Sequence, residues 1–131
     1  MKLVEEDKLQ EAAEILFANN PLSAVCSIVC PHERNCYGHC VRGKKSEPVE
    51  FFKVEQFLSG KFLEDYTPPL IEKNDIRIAV IGSGPAGITM SILLSLKGFR
   101  VTLIEARDKI GGVLRYGIPQ FRLPRDIVDR Y

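Results

Sequence analysis

The sequence predicts an α+β chain, in which a helical, cysteine-bearing region precedes the first βαβ unit of a doubly wound sheet. Three observations carry this expectation. All four cysteines fall in one stretch, "CSIVCPHERNCYGHC", between segments with helical periodicity. The run "IRIAVIGSGPAG" is β-branched and enters a glycine turn. One helix later, "RVTLIEA" reads as a second buried strand, and strand, helix, strand in that order calls for a parallel sheet.

The chain has 131 residues, 45% of them apolar and 27% charged, which is ordinary soluble composition. Its net charge is +1 and no basic stripe runs through it, so a nucleic-acid partner is not expected. The longest apolar run, Ala86 to Leu96, is about half of what spans a bilayer. The acidic, amphipathic N-terminus lacks the apolar core and cleavage site of a signal peptide. A cytoplasmic protein with no membrane role is therefore expected, in a compartment where thiols stay reduced.

In the first region, residues 5–18 set Leu9, Ala12, Ala13 and Leu16 on one helix face, and "NNP" stops that helix. Pro31 and Gly38 should break the cysteine segment into short turns. "EPVEFFKVEQFLSG" reads as a second helix with Val49, Phe52, Val54, Phe57 and Leu58 inward, ended by Gly60. Phe51, Phe52, Phe57 and Phe62 read as packing residues. Tyr66 to Asp75 carries two prolines and serves as a linker, so the expected domains are 1–70 and 71–131. Beyond it, Ala86 to Lys97 is helical with Gly98 as its cap, and "LPRDIVDRY" opens a further helix at Pro124.

Gly82, Gly84 and Gly87 form G-x-G-x-x-G between a strand and a helix, the dinucleotide fingerprint of a Rossmann-type domain. The first glycine permits the tight turn, the second lets backbone approach a pyrophosphate, and the third lets helix and strand pack closely. The helix N-terminus then offers free N–H groups to the phosphates. Glu105 stands at the tip of the next strand, where a carboxylate can bind ribose hydroxyls. A second glycine pair, Gly111 and Gly112, follows soon after. Read alone, that pair is a plain turn; it also resembles the segment that runs along the flavin in flavoproteins of the two-dinucleotide-domain type, a resemblance that implies FAD rather than NAD.

The cysteine spacing, C-x3-C-x5-C-x3-C, fits no common zinc pattern cleanly. Zinc held by Cys26, Cys30, Cys36 and Cys40, iron–sulfur ligation, and free thiols all stay open. His32 and His39 could join a zinc site; as loop residues they would otherwise be solvated. "VRGKK" (Val41 to Lys45) is a solvated loop, or a basic edge suited to an acidic redox partner.

Taken in order, "NNPLSAVCSIVCPHERNCYGHC", the glycine loop and "GGVLRYGIPQFRLP" resemble the small (β) subunit of NADPH-dependent glutamate synthase and its relatives. These include the flavin subunit of ferredoxin-NADP transhydrogenase and the N-terminal region of dihydropyrimidine dehydrogenase. The resemblance implies a partial helical iron–sulfur domain over residues 1–70, followed by the start of a Rossmann-type FAD domain. It implies that Gly82, Ser83, Gly84, Pro85, Ala86 and Gly87 cradle the FAD pyrophosphate and that Glu105 holds the ribose. Gly112, Val113 and Leu114 would lie against the cofactor, with Arg122 a further contact. Cys30 and Cys36 would serve one 4Fe–4S cluster, with Glu55 at the position of an oxygen or amide ligand. Cys40 would serve a second cluster and Cys26 neither.

In that family a further cysteine group lies upstream and an NADPH domain is inserted downstream. The chain therefore reads as a fragment cut at both ends, inactive alone, with an incomplete cluster ligand set. The implied function is electron transfer from NAD(P)H through FAD and the clusters to a partner, the glutamate synthase large subunit or its equivalent. No catalytic side chain stands out, as befits chemistry that belongs to cofactors. The competing readings are a zinc-stabilised interaction module fused to a dinucleotide-binding unit, with stoichiometric zinc as its marker, and a dinucleotide sensor without turnover; the fragment could also take up adventitious zinc.

Overall fold

A computed structural model of the chain describes residues 2–131. It contains helices α1 (Lys2–Glu5), α2 (Leu9–Asn19), α3 (Ser23–Val29) and α4 (Phe51–Asp65), then strand β1 (Arg77–Ile81) and helix α5 (Pro85–Leu96). Strand β2 (Arg100–Ile104) and the short helices α6 (Val113–Tyr116) and α7 (Arg125–Asp129) complete it. Single 3-10 turns at His32–Arg34 and Val41–Lys44 shape the cysteine segment. The helical region and the βαβ unit follow in the expected order.

Four local expectations are corrected. The helix expected over residues 5–18 is two helices, because Asp7 sits at a left-handed φ of +57°. There the Lys8 N–H turns back to the Leu3 carbonyl at 2.8 Å and closes α1. The cysteine segment is not all turns, since α3 runs through Cys26. It forms because its small residues Ser23, Ala24 and Ser27 are buried and let α3 lie close to α4, where the Ser59 hydroxyl donates to that of Ser23 at 2.8 Å.

Gly60 does not end α4, which continues to Asp65 and buries Phe62 and Leu63. Burial of two such side chains, roughly 1.5–3 kcal/mol each, outweighs the cost of about 1 kcal/mol for a helical glycine. Finally, Val49 and Phe57 do not face inward. They are 37% and 57% exposed, and Leu58, Phe62 and Leu63 take the buried face instead.

Two clusters form the core. The first joins α2 and α4 through Phe17 and Phe62, with Tyr66 packed beside them at centroid separations near 5 Å: 5.0, 4.9 and 5.1 Å. The second mixes the two regions, uniting Leu22 and Val25 with Ile88, Leu114, Leu123 and Val128. Packing is thus continuous across the Tyr66–Asp75 linker. Arg130 adds a polar tie, its guanidinium donating to Glu64 on α4 at 3.1 Å.

The two strands pair in parallel with Ile78 opposite Val101 and Val80 opposite Leu103. These four residues share one half-buried face, against which α5 packs. The glycine turn then leaves β1 directly beside the tip of β2, the Gly82 N–H bonding the Ile104 carbonyl at 2.7 Å. Among the described residues no single helix is long and apolar enough to cross a membrane.

Candidate functional site

The site forms where β1 turns into α5. Gly82 takes φ +88°, Gly84 is the N-cap of α5 with no side chain capping it, and Pro85 fills the first turn. The first N–H groups of α5 are therefore left for an outside acceptor. A Cβ on Gly87 would run into the Gly82 carbonyl, so helix and turn meet here backbone to backbone. Cβ atoms on Gly82 or Gly84 would meet nothing within 4 Å, which leaves room above the loop for a phosphate group.

Glu105 reaches this turn from the end of β2. Its Oε2 accepts the Ser83 N–H at 2.9 Å and the Ser83 hydroxyl, and its Oε1 accepts the Arg107 N–H at 2.9 Å. The Ser83 hydroxyl, followed by the Arg107 and Ser83 N–H groups, holds the carboxyl down to about 2. It is a carboxylate at neutral pH, suited to accept a ribose hydroxyl.

The second glycine pair closes on the first. Gly112 adopts φ +50°, and a Cβ there would lie 2.7 Å from the Gly84 Cα. The Gly111 N–H bonds Ser83 twice, to its carbonyl at 3.0 Å and its hydroxyl at 3.2 Å. Val113 stays exposed, while Leu114 turns its side chain into the second core cluster. The structure thus brings Gly82–Gly87, Glu105 and Gly112 together. Arg122 points the other way, towards the helical region, its Nη2 donating to the Val29 carbonyl at 3.1 Å.

Arg115, which the sequence places beside the flavin segment without assigning it a role, is a packing participant. Its side chain is 9% exposed, its Nε–H bonds the Ile110 carbonyl at 2.7 Å, and its guanidinium pairs with Asp129 of α7. Arg125 of α7 returns a bond to the Leu114 carbonyl at 3.0 Å, so α6 and α7 are tied in both directions. The partners lie on separate elements, and no local pattern announces them.

The cysteines occupy four different environments. Asn20 donates to the Cys26 sulfur at 3.4 Å and Asn35 to that of Cys30 at 3.3 Å. The Val49 N–H points at Cys40 Sγ, 3.5 Å away, and this bond lowers the Cys40 thiol below its ordinary value. Cys36 faces His32 Nδ1 at 3.9 Å. Among the described residues no three His, Cys, Asp or Glu side chains gather as a metal site, so a zinc centre built on all four thiols has no support.

His32 is not a free loop residue. It stacks on Phe52 at 4.1 Å and Nε2 is 2.9 Å from the Ser27 carbonyl, whereas His39 is exposed. Glu55 lies half-buried on α4, where desolvation raises its carboxyl and the charge of His32 opposes that. A cavity of about 210 Å³ lies beside this group, lined by Cys30, His32, Phe52, Gln56 and Arg122 among others.

Residues 1–66 match the family described as dihydropyrimidine dehydrogenase domain II, 4Fe-4S cluster. Residues 80–125 match the NAD(P)-binding Rossmann-like domain. Among curated proteins, the chain is 39% identical over 122 residues to the NAD-dependent dihydropyrimidine dehydrogenase subunit PreT of Escherichia coli K12, covering 90% of this chain and 29% of that protein. It is 32% identical over 133 residues to the glutamate synthase [NADPH] small chain of the same organism, covering 99% of this chain and 28% of that protein. The corresponding small chain of Azospirillum brasilense is 33% identical over 134 residues, with 99% and 28% covered. The chain therefore spans less than a third of the length of these relatives.

Proposed function

Because the chain belongs to the family of dihydropyrimidine dehydrogenase domain II, 4Fe-4S cluster, we propose that it is the entry part of an NAD(P)H-dependent, electron-transferring oxidoreductase. In this reading residues 1–70 serve 4Fe–4S clusters and residues 71–131 begin the FAD domain. The observation that carries it is the meeting of the glycine loop, Glu105 and Gly112 in a unit that shares its core with the cysteine-bearing helices.

The residues fit such a group. The N–H groups at the start of α5 receive the pyrophosphate in the open space above Gly82 and Gly84, with Ser83, Pro85, Ala86 and Gly87 shaping the cradle. Glu105 accepts a ribose hydroxyl on the lone pairs that Ser83 and Arg107 leave free. Gly112, Val113 and Leu114 present backbone along the flavin. When bound, the flavin would accept one hydride, that is two electrons, and release them singly.

Cys30 and Cys36, with Glu55, serve one cluster and Cys40 another, and Cys26 serves neither. Arg122 lies on the cysteine side, its cation on the carbonyl just before Cys30. The nicotinamide binds in a domain outside these residues, and the protein works in the cytoplasm. Electrons leave to a partner subunit. A docking face is available at the cysteine loop, a segment that carries Val41, 80% exposed, and the exposed cations Arg34, Arg42, Lys44 and Lys45. Among the described residues none of these four cations has a carboxylate within 4.0 Å.

Analysis of the complete protein, purified without oxygen, for flavin, iron, sulfide and zinc tests this reading. Bound FAD with iron and acid-labile sulfide is expected. Stoichiometric zinc without flavin would overturn it.

A further inference from the structure

We propose that Ser83 is the positioning residue that couples the two ends of the dinucleotide site, its one hydroxyl holding both the strand-tip acid and the second glycine turn. This inference rests on the nucleotide-binding reading above. Ser83 is fully buried and belongs to none of the three glycine positions that define the loop. A hydroxyl has one proton to give and two lone pairs to receive with. Here the proton goes to Glu105 Oε2, and a lone pair takes the Gly111 N–H at 3.2 Å.

The Ser83 main chain repeats both links. Its N–H bonds the same Glu105 oxygen at 2.9 Å, and its carbonyl accepts the same Gly111 N–H at 3.0 Å. These duplicate bonds keep the loop folded when the hydroxyl is absent. The hydroxyl adds aim: with the Ser83 and Arg107 N–H groups it fixes the rotation of the Glu105 carboxylate and so the direction of the lone pairs left for a ribose. It also sets the height of Gly111, and through it the seat of Gly112 on Gly84. Adenosine-side and flavin-side geometry are then linked through a side chain that touches neither ring.

The test titrates FAD into apo forms of the complete protein carrying Ser83→Ala, Glu105→Gln or both. Ser83→Ala and Glu105→Gln are each expected to weaken FAD binding by roughly ten-fold, the loss of one charge-assisted hydrogen bond. The double variant should bind no more weakly than the worse single one. Ser83→Ala should also change the visible circular dichroism of the bound flavin, which Glu105→Gln leaves alone. A purely structural role would instead lower the melting point and make the two losses multiply. Ser83→Cys fills the site with a larger group that is only a weak donor and acceptor, and should repeat the pattern if the alanine variant does not fold. Wild-type affinity and dichroism in whichever variant folds, or multiplying losses, would overturn the inference. Wild-type protein that takes up no FAD would instead overturn the binding reading, and this inference with it.

Discussion

Gly112 sits on Gly84 with no room for a side chain between them: a methyl group at Gly112 would stand 2.7 Å from the Gly84 Cα. Its φ of +50° adds a backbone cost for any other residue. Gly112→Ala should therefore destabilise the protein by about 1–3 kcal/mol and weaken flavin retention at the same time. Chemical denaturation and flavin release on gel filtration measure the two effects. An alanine variant with wild-type stability and flavin content would contradict the contact.

Gly60 is the opposite case. It lies inside α4, and a Cβ there meets nothing within 4 Å. Gly60→Ala should stabilise the protein by roughly 0.5–1 kcal/mol, since the glycine serves no conformational need in a helix. A melting temperature that falls would mean that this position has a packing role the geometry does not contain.

The pair Arg115–Asp129 should respond asymmetrically. Arg115 is 9% exposed and Asp129 is 53% exposed. Asp129→Ala strands a buried cation, whereas Arg115→Met removes the charge and fills the space. The aspartate change should thus cost more, by roughly 1 kcal/mol or above. Equal losses in urea melts, or a larger loss for Arg115→Met, would contradict this.

The glycine loop was legible in the sequence because its chemistry is local. A strand, a fingerprint and an acid at the next strand tip fix where Gly82, Gly84, Gly87 and Glu105 must meet, and they do meet. The helical region was harder. Periodicity found α2 and α4, but missed α3, whose seven residues form a helix only because Ser23 and Ser27 are buried against neighbours. Gly60 by residue type signals a stop, but burial of Phe62 and Leu63 beyond it carries α4 through. Phe57 reads as core by its aromatic side chain, yet Leu58 and Phe62 take the buried face and leave it 57% exposed. His32 on Phe52 and Arg115 with Asp129 are contacts between separate elements, which single-residue patterns do not encode.

Glu105 gives a pH dependence of definite sign. Its folded-state pKa is depressed to about 2, by the Ser83 hydroxyl first. The stability it contributes is present above the unfolded value of about 4.3 and is lost as pH falls from there towards the folded value. Wild-type protein should lose urea resistance across that window, and Glu105→Gln should lose less of it. Identical acid profiles for the two would contradict the hydrogen-bond assignment.

The basic loop predicts a salt effect. With Arg42, Lys44 and Lys45 beside exposed Val41 and, among the described residues, without a carboxylate within 4.0 Å, electron delivery to an acidic acceptor protein should slow as ionic strength rises. Replacing all three with glutamate in the complete protein should slow delivery at low salt and remove or reverse that dependence. Salt dependence unchanged in the triple variant would exclude this face as the docking surface.

The most direct test of the central claim is an anaerobic titration of the complete protein with NADPH or NADH, followed by visible absorption and low-temperature electron paramagnetic resonance. Bleaching of the flavin together with the appearance of reduced-cluster signals is the predicted result, with Glu55→Ala altering one cluster's signal and leaving the flavin in place. A protein that is not reduced by either nucleotide, or that carries flavin without any reducible cluster, would contradict it.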